Sequence, residues 1–472
     1  MPANLDPRIG TDAQSQRLHS LIFSGLLERD DQMNPRGDLA ERWETPDPLT
    51  YIFHLRRGVR FHDGRALTSA DVKFTFDSIF SGAIRTPKRG AFRMVSSVEA
   101  PDAATVVFRL REPFASFLWN LVRPSVGIVP AGAGEDLAQH PVGTGPFRFA
   151  GARQDDEVVL ERNADYFGGT PAVARIRFRI VPDTTVRALE LRKGTADVAL
   201  NSLAPDTVPV LARQPDIEVT QQPGTIYSYV AFNLDDAILA HREVRQALAY
   251  ATDRESLVRY LLRGQARIAD GLLPPNHWAY EPGVPRYDFN PARAEQLLDA
   301  AGFPRGGPRQ MRFKLTMKTS TEELSRLLGE VLQEQWRRVG VELELRPLEF
   351  ATFYADIQRG NFQLFTLRWI GANNDPDIFE YVFHSRKMPP DGANRGHYRN
   401  ARLDALLDQA RMESDRERRR RIYSEVQRIV AEDQPYLSLW FFDNVCVHRR
   451  RVQQVALTPA GDYDFLTQII LR

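Results

Sequence analysis

The sequence predicts an α/β protein that contains a parallel, doubly wound sheet. Alternating apolar residues indicate strands at about 311–317, 341–345 and 362–369, and amphipathic helices separate them at 323–339 and 350–359. Connections this short favour parallel strands, because each right-handed crossover starts the next strand from the same end of the sheet. Residues 311–369 are therefore interpreted as a β-α-β-α-β unit.

The part of the chain before residue 230 is predicted to be richer in strands. Alternation indicates strands at 51–55, 105–110, 158–160 and 176–180. The hydroxyl of Thr68 and the acid at Asp71 predict the capped start of a helix. His62-Asp63 before Gly64 is interpreted as a hairpin corner rather than a catalytic pair, and the Gly-Thr-Gly-Pro run at 143–146 as a tight turn.

After residue 240 the pattern becomes more helical. Helices are predicted over 243–252, 254–263 and 291–301. Thr252 with Glu255, and Ser320 with Glu323, have the spacing of capping boxes. The arginine-rich run at 416–421 lies among acidic residues in an amphipathic stretch, which favours a solvated helix face over a nucleic-acid contact.

The composition narrows the class of protein. The 472 residues carry 62 Lys+Arg and 61 Asp+Glu, a balance that disfavours a nucleic-acid partner. The length favours about three domains. The one cysteine, Cys446, excludes an intramolecular disulfide. Nucleotide-binding and metalloprotease motifs are absent and no two histidines are within four residues of each other, so no cofactor and no metal site is predicted.

The predicted sheet points to a ligand-binding edge. In parallel sheets, ligands bind beyond the carboxyl ends of the strands. This rule selects Lys318 and Thr319 after the first strand and the loop 370–375 after the third. Trp369 ends the third strand, where its ring faces either a cleft or the core. Asp375 and Asp377 are favoured as helix-capping residues over an acid–base pair.

Nine segments carry a family resemblance across nearly the whole chain: 39–43, 51–64, 68–76, 141–147, 162–167, 232–233, 244–254, 373–377 and 398–404. In content and order they resemble the motifs of family 5 solute-binding proteins, the extracytoplasmic receptors of peptide/nickel ABC importers. The resemblance implies a non-catalytic, monomeric protein outside the cytoplasm, in the periplasm or its equivalent. Its partners would be a peptide or peptide-like solute and the permease subunits with their ATPases, and not nucleic acid.

The resemblance also implies a two-lobed periplasmic-binding-protein fold (type II-like, cluster C) that closes on its ligand by a hinge motion. Lobe I is expected to comprise 1–230 and 443–472, with an extra subdomain at about 24–150. Lobe II is expected to comprise 231–442. A signal peptide and a first strand are expected before Leu5, so the chain is expected to be trimmed or to start too far downstream.

The substrate-binding residues expected from loop position and resemblance are Tyr227, Tyr229, Lys318, Thr319, Trp369, Gly371, Ala372, Asn373, Asn374 and Arg395. Trp369 would offer a stacking face, Gly371 would allow close backbone approach, and the two asparagines would donate hydrogen bonds. Arg395 is a candidate for an anionic group, or else a solvated surface residue. The tyrosines would line the cleft from lobe I.

Two departures from the family pattern bear on the ligand. Peptide-binding members place an Asp for the α-ammonium where Ala372 stands, and dipeptide-binding members place an Arg for the carboxylate at about Thr319, beside Lys318. A buried ammonium without a counter-charge costs several kcal/mol, so a free dipeptide is expected to bind poorly. The alternatives are a nickel–chelator, opine or oligosaccharide receptor, a hydrolase, and a sensor or chaperone-like module without a permease.

Overall fold

A computed structural model of the protein describes residues 2, 4–30, 32–122, 126–307, 310–370 and 375–472. The chain forms two compact units, called here unit 1 (Met1–Gln222 with Asn444–Arg472) and unit 2 (Pro223–Asp443). The chain crosses between the units at Gln222–Pro223 and at Asp443–Asn444, where the expected lobe ranges divide after 230 and after 442. Each crossing lies inside a long strand.

The elements before the first crossing belong to unit 1. The helices are α1 (Ala13–Ile22), α2 (Ser69–Phe80), α3 (Phe117–Asn120), α4 (Thr184–Lys193) and α5 (Thr207–Leu211). The strands are β1 (Leu27–Arg29), β2 (Pro35–Gly37), β3 (Ala40–Asp47), β4 (Thr50–Leu55), β5 (Val95–Asp102), β6 (Thr105–Leu110), β7 (Phe147–Arg153), β8 (Glu157–Arg162), β9 (Arg175–Arg179) and β10 (Val198–Leu200). The strand β11 (Ile217–Phe232) carries the chain into unit 2.

Unit 2 contains the remaining helices and most of the remaining strands. The helices are α6 (Arg242–Tyr250), α7 (Arg254–Ser256), α8 (Pro291–Ala300), α9 (Glu323–Arg338), α10 (Phe350–Gln358), α11 (Ile378–Phe383), α12 (Ala401–Met412) and α13 (Arg416–Asp433). The strands are β12 (Ala266–Ile268), β13 (Phe313–Ser320), β14 (Val341–Leu348), β15 (Leu364–Trp369) and β16 (Tyr436–Arg449), the last of which returns to unit 1, where β17 (Val452–Gln453) and β18 (Ile470–Leu471) pair.

Unit 1 is built on antiparallel sheets. The strands β3-β4-β6-β5 form one sheet and β7-β8-β9 another. The helix α2 begins as predicted, with the Thr68 N–H donating to the Asp71 carboxylate at 2.8 Å. The ring of Phe76 on α2 packs edge-on against Phe108 with ring centroids 4.9 Å apart. An apolar core with members from Leu26 to Ile128 surrounds this contact.

His62 joins two bends of unit 1. Its Nε2 donates to the Gly145 carbonyl oxygen at 3.1 Å, and its Nδ1 accepts from the Gly143 N–H at 3.3 Å, so the ring is neutral. Burial lowers the pKa of His62 to about 4. The neighbouring Gly64 turns the chain with φ +87°. The turn interpretation of His62-Asp63 is therefore confirmed, and 143–146 bend closely past the backbone of Ile22.

The predicted parallel sheet of unit 2 is confirmed. The strand β13 pairs in parallel with β14 on one side and with β15 on the other, and β11 pairs antiparallel with β15. Neighbouring residues on β15 face opposite sides of the sheet. Leu364 belongs to the core that includes Trp336 of α9, and Phe365 to the core that includes Phe353 of α10. Both faces of the sheet are covered, as a doubly wound arrangement requires.

Two predicted capping boxes in unit 2 are wrong. The helix α7 is capped by Asp253, whose carboxylate accepts from the Ser256 N–H at 2.9 Å, because the Thr252 hydroxyl instead bonds the Leu248 carbonyl oxygen and the indole of Trp336. The predicted helix 254–263 continues as a π-helical turn, Leu257–Leu261. Ser320 is the last residue of β13, so it does not cap α9.

Among the described ranges, no helix is both long and apolar enough to span a membrane.

Candidate functional site

The candidate site lies in unit 2, at the carboxyl ends of β13 and β15. Lys318 is in register with Phe365 in this parallel pair, so Thr319 and Trp369 follow at the same edge of the sheet. Trp369 is the last residue of β15 and is half-buried. The edge selected from the sequence is therefore present, with the tryptophan at its tip.

Lys318, a predicted substrate-binding residue, already has a partner within the protein. Its Nζ lies 2.7 Å from Oδ2 of Asp356 on α10, and the two side chains are 11% and 20% exposed. The hydrogen bond from Lys318 is the main cause that lowers the pKa of Asp356. Thr319 is buried. The structure thus places both residues beneath the edge, with the ammonium already paired.

Tyr227 and Tyr229 belong to unit 2 and not to the N-terminal unit in which they were expected. Both are about 1% exposed, and their rings stack with centroids 5.6 Å apart. Tyr229 also stacks on Trp369, at 6.3 Å and 10° between the planes, and on Tyr436, at 4.2 Å. The tyrosines therefore form a layer that supports Trp369 from within the core.

Arg395 lies beside Trp369 and is buried rather than solvated. It is 5% exposed, and its Cζ lies 5.5 Å from the ring centroids of both Trp369 and Tyr354. Its Nη2 donates to the Tyr354 hydroxyl at 3.1 Å. In the described part of the chain, no carboxylate pairs with this guanidinium. The surface alternative for Arg395 is therefore wrong.

The loop that carries Arg395 is fixed by its neighbours. The Asn394 amide donates to the carbonyl oxygens of His384 and Tyr398, at 3.2 and 2.7 Å, and accepts from the Tyr398 N–H at 2.9 Å. A Cβ at Gly396 would lie 2.3 Å from the Phe232 carbonyl oxygen. The backbone on both sides of Arg395 is thus held in place.

Three buried polar atoms of this region have no hydrogen-bond partner among the described residues: Trp369 Nε1, Arg395 Nε and the Tyr436 hydroxyl. The first two are donors that cannot accept. Buried polar groups are normally satisfied, so this concentration of unsatisfied atoms around one tryptophan distinguishes the region from an ordinary core.

Exposed apolar side chains surround the tryptophan. Phe350, Tyr354, Ile370 and Tyr381 are 56%, 37%, 60% and 46% exposed. The rings of Phe350 and Tyr354 stack at 5.9 Å, and those of Trp369 and Tyr381 meet edge-on at 6.2 Å. These four residues with Trp369 are called here the aromatic patch.

Sequence reasoning missed most of the aromatic patch, although α10 contains a signal. Its buried face holds Phe353 and Ile357. Phe350 and Tyr354, four residues apart, form a second aromatic stripe that the core does not need. Tyr381 and Tyr436 had no comparable signal, because ordinary packing explains an isolated tyrosine equally well.

Four of the predicted contact residues, Gly371, Ala372, Asn373 and Asn374, lie outside the described residues. The structure resumes at Asp375, whose carboxylate accepts from the N–H of Asp377 at 2.9 Å. Asp377 occupies the N-cap position of α11, as the capping interpretation expected, but makes no side-chain capping bond. Asp375 and Asp377 both bind Arg419, with Nη2–Oδ1 distances of 2.6 and 2.9 Å. Arg419 is therefore a buried member of the arginine-rich run that was predicted to be solvated.

Comparison with known proteins relates the whole chain to bacterial transport receptors. A profile described as "Bacterial extracellular solute-binding proteins, family 5 Middle" matches residues 34–389. The glutathione-binding protein GsiB of Salmonella choleraesuis (strain SC-B67) is 28% identical over 474 aligned positions, which cover 98% of this chain and 91% of GsiB.

Solved structures show the same relationship. The oligopeptide-binding protein AppA from Bacillus subtilis, in complex with a nonapeptide, superposes with a TM-score of 0.83 at 26% identity and covers 100% of this chain and 97% of AppA. NikZ from Campylobacter jejuni, in complex with Ni(L-His), gives a TM-score of 0.84 at 26% identity over 99% and 97% of the two chains. The predicted fold class is confirmed by these similarities.

Proposed function

Because the chain belongs to the bacterial extracellular solute-binding proteins of family 5, we propose that it captures a peptide or peptide-like solute and delivers it to the permease of an ABC importer. The protein binds a solute and is not an enzyme. The observation that carries the proposal is the aromatic patch at the carboxyl end of the parallel sheet, where flat apolar faces suit the side chains and peptide planes of such a solute. GsiB and AppA, which bind glutathione and oligopeptides by name, support it.

The finer parts of the proposal follow from the family resemblance. Units 1 and 2 would be the two lobes of a receptor that closes on its solute. The protein would act as a monomer outside the cytoplasm, in the periplasm or its equivalent. Its macromolecular partners would be the two permease subunits and their ATPases.

The proposed contacts in unit 2 come from Trp369 with its two supporting tyrosines and from the segment 371–374. Trp369 would stack on the solute, with Tyr227 and Tyr229 as its support. Gly371, Ala372, Asn373 and Asn374 would supply close backbone approach and amide hydrogen bonds. Ala372 in place of an ammonium-binding Asp argues for a solute that is not held by its amino terminus.

Native mass spectrometry of the purified protein, followed by identification of the released molecule, tests this function. We expect a bound species with the mass of a peptide or peptide derivative, released intact after prolonged incubation. Release of a cleaved product would contradict the assignment as a receptor without catalysis. A released molecule without any amide bond would contradict the proposed class of solute.

A nickel–chelator complex is the second candidate, and it shares the scaffold with opine and oligosaccharide receptors. The observation that favours it is the similarity to NikZ with Ni(L-His), together with the absence of an acid at Ala372. Elemental analysis of the released solute separates the two candidates. Stoichiometric nickel would replace the peptide proposal, whereas a metal-free, amide-containing solute would exclude the second candidate.

A further inference from the structure

We propose that the solute presents a carboxylate to Arg395 and places an adjoining apolar group on the aromatic patch. This inference rests on the proposed function, the capture of a peptide-like solute, and it names the group that anchors that solute in unit 2. Three features of unit 2 support it: the unbalanced charge of Arg395, the surplus of hydrogen-bond donors around it, and the apolar surface beside it.

Arg395 differs from the other buried arginines of unit 2. Arg419 binds the carboxylates of Asp375 and Asp377. Arg245 donates to four backbone carbonyl oxygens, among them that of Leu239 at 2.7 Å. Arg254 donates to three, among them that of Ala269 at 2.7 Å. Among the residues that the structure describes, Arg395 donates only to the Tyr354 hydroxyl, a neutral group.

The charge of Arg395 is therefore not balanced by any described residue. Burial of a charge is costly unless the charge is paired, and the rings of Trp369 and Tyr354 offset only part of that cost. Asp356 lies on α10 two residues after Tyr354, but its carboxylate is already paired with Lys318. The missing partner is an anion that the described part of the protein does not itself provide.

The unsatisfied polar atoms specify the anion further. Arg395 Nε and Trp369 Nε1 are both donors without an acceptor among the described residues. A carboxylate has two acceptor oxygens, and it matches the planar edge of a guanidinium better than a single-oxygen acceptor does. Because rings lie against Arg395, its in-plane N–H groups are the ones left to bind the ligand.

The aromatic patch indicates what adjoins the carboxylate. Phe350, Tyr354, Ile370 and Tyr381 are exposed around the Trp369–Arg395 contact, and exposed apolar surface gathered at one place marks a binding site. A carboxylate that carries an aromatic or aliphatic side chain would satisfy both features. A peptide with an apolar C-terminal residue has this chemistry.

Competitive capture from a defined pool tests the inference. The probe is an equimolar pool of random tripeptides, mixed with the same pool after all carboxylates have been converted to isotope-labelled methyl esters. Protein stripped of its solute is equilibrated with the mixture, and the retained peptides are quantified by mass spectrometry. We expect at least tenfold enrichment of free acids over esters, with apolar C-terminal residues over-represented.

Variants locate the effect. We expect the acid-to-ester ratio to fall below twofold in Arg395→Gln and to keep part of its value in Arg395→Lys. The matched control is Arg326→Gln, which removes an exposed arginine of α9 and leaves the ratio unchanged. If Arg395→Gln does not fold, the wild-type ratio and Arg395→Lys decide the question.

The outcomes separate this inference from the proposed function. Retention of acids and esters in equal amounts would overturn the carboxylate anchor and leave peptide capture standing. A preference for acids that is unchanged in Arg395→Gln would also overturn the role of Arg395. Retention of neither pool would contradict peptide capture, and with it the inference.

Discussion

Arg419 and Asp375 form a buried, two-pronged ion pair, with an Nη1–Oδ2 distance of 2.7 Å and an Nη2–Oδ1 distance of 2.6 Å. Asp375 directly follows the segment 371–374, which the resemblance places in the ligand site. The pair therefore fixes the chain in the packed part of unit 2 directly after this segment. The Tyr423 hydroxyl, which donates to Asp377 at 2.7 Å, extends the same network.

Removal of the Asp375 carboxylate should destabilise the protein strongly. Asp375→Ala leaves Arg419 buried without one of its two carboxylates, and breaking a buried pair in this way costs about 3–5 kcal/mol of the free energy of unfolding. Urea unfolding measures the loss. The control Arg420→Ala removes an exposed arginine on the same helix and should change stability by less than about 0.5 kcal/mol. Equal effects of the two variants would refute the anchoring role.

Loss of the Trp369 ring should weaken solute capture and lower its preference for acids, because the Nε1 donor is lost with the ring. The ring offers stacking area to the solute, and aromatic contacts of this kind are worth about 0.5–1.5 kcal/mol beyond buried area. Trp369→Ala should therefore bind the tripeptide pool at least about tenfold more weakly, and Trp369→Phe only a few-fold. Trp43→Phe, in unit 1, serves as the control, measured by the same competitive capture. Unaltered capture by Trp369→Ala would remove the tryptophan from the site.

A free dipeptide should be a poor ligand of the wild-type protein. Its α-ammonium would meet Ala372 where the family pattern has an Asp, and an unpaired buried charge costs several kcal/mol. Calorimetry with dialanine should give no sub-micromolar dissociation constant. Ala372→Asp should strengthen dipeptide binding, and the isosteric, uncharged Ala372→Asn should not. Tight binding of dialanine by the wild type would contradict the prediction.

His62 should make stability depend on pH between about 4 and 6.5. Burial lowers its pKa from 6.5 to about 4 in the folded protein, so between these values the unfolded chain holds more protons. The stability contributed by His62 is complete above pH 6.5 and is lost as the pH falls towards 4, at up to about 1.4 kcal/mol per pH unit.

The variant His62→Gln isolates this contribution, because glutamine can still donate to the Gly145 carbonyl oxygen. The difference in free energy of unfolding between pH 7 and pH 5 should shrink by about 1–2 kcal/mol relative to wild type. The exposed His140→Gln should leave the difference unchanged. If the free energy of unfolding of His62→Gln depended on pH as strongly as that of the wild type, His62 would not be the titrating group.

The sequence predicted the sheet of unit 2 well because each of its elements has a local signature. Alternation on β13, β14 and β15 and the amphipathic pattern of α9 depend only on neighbours in the chain. The cap at Thr252 was mispredicted for the opposite reason. The Thr252 hydroxyl bonds Trp336, 84 residues away in sequence, and such a tertiary partner outweighs a local capping pattern.

The candidate site likewise combines features that local sequence patterns predict with features that depend on tertiary packing. The position of Trp369 followed from the rule for parallel sheets, which requires only the order of the strands. The pairing of Lys318 with Asp356 and the burial of Arg395 depend on how α10 and the loop around Asn394 pack. Residue type alone therefore could not separate the paired cation from the unpaired one.

The two chain crossings have a consequence for synthesis on the ribosome. Residues from both ends of the sequence share one core of unit 1, in which Leu18 and Phe23 are grouped with Cys446 and Phe465. The first 222 residues must therefore wait, with that core incomplete, while the whole of Pro223–Asp443 is translated. At about 5–20 residues per second this delay is on the order of 10–40 seconds. We expect the uninterrupted segment to acquire its native structure first, and nascent chains arrested before Asn444 to expose the unfinished core to chaperones.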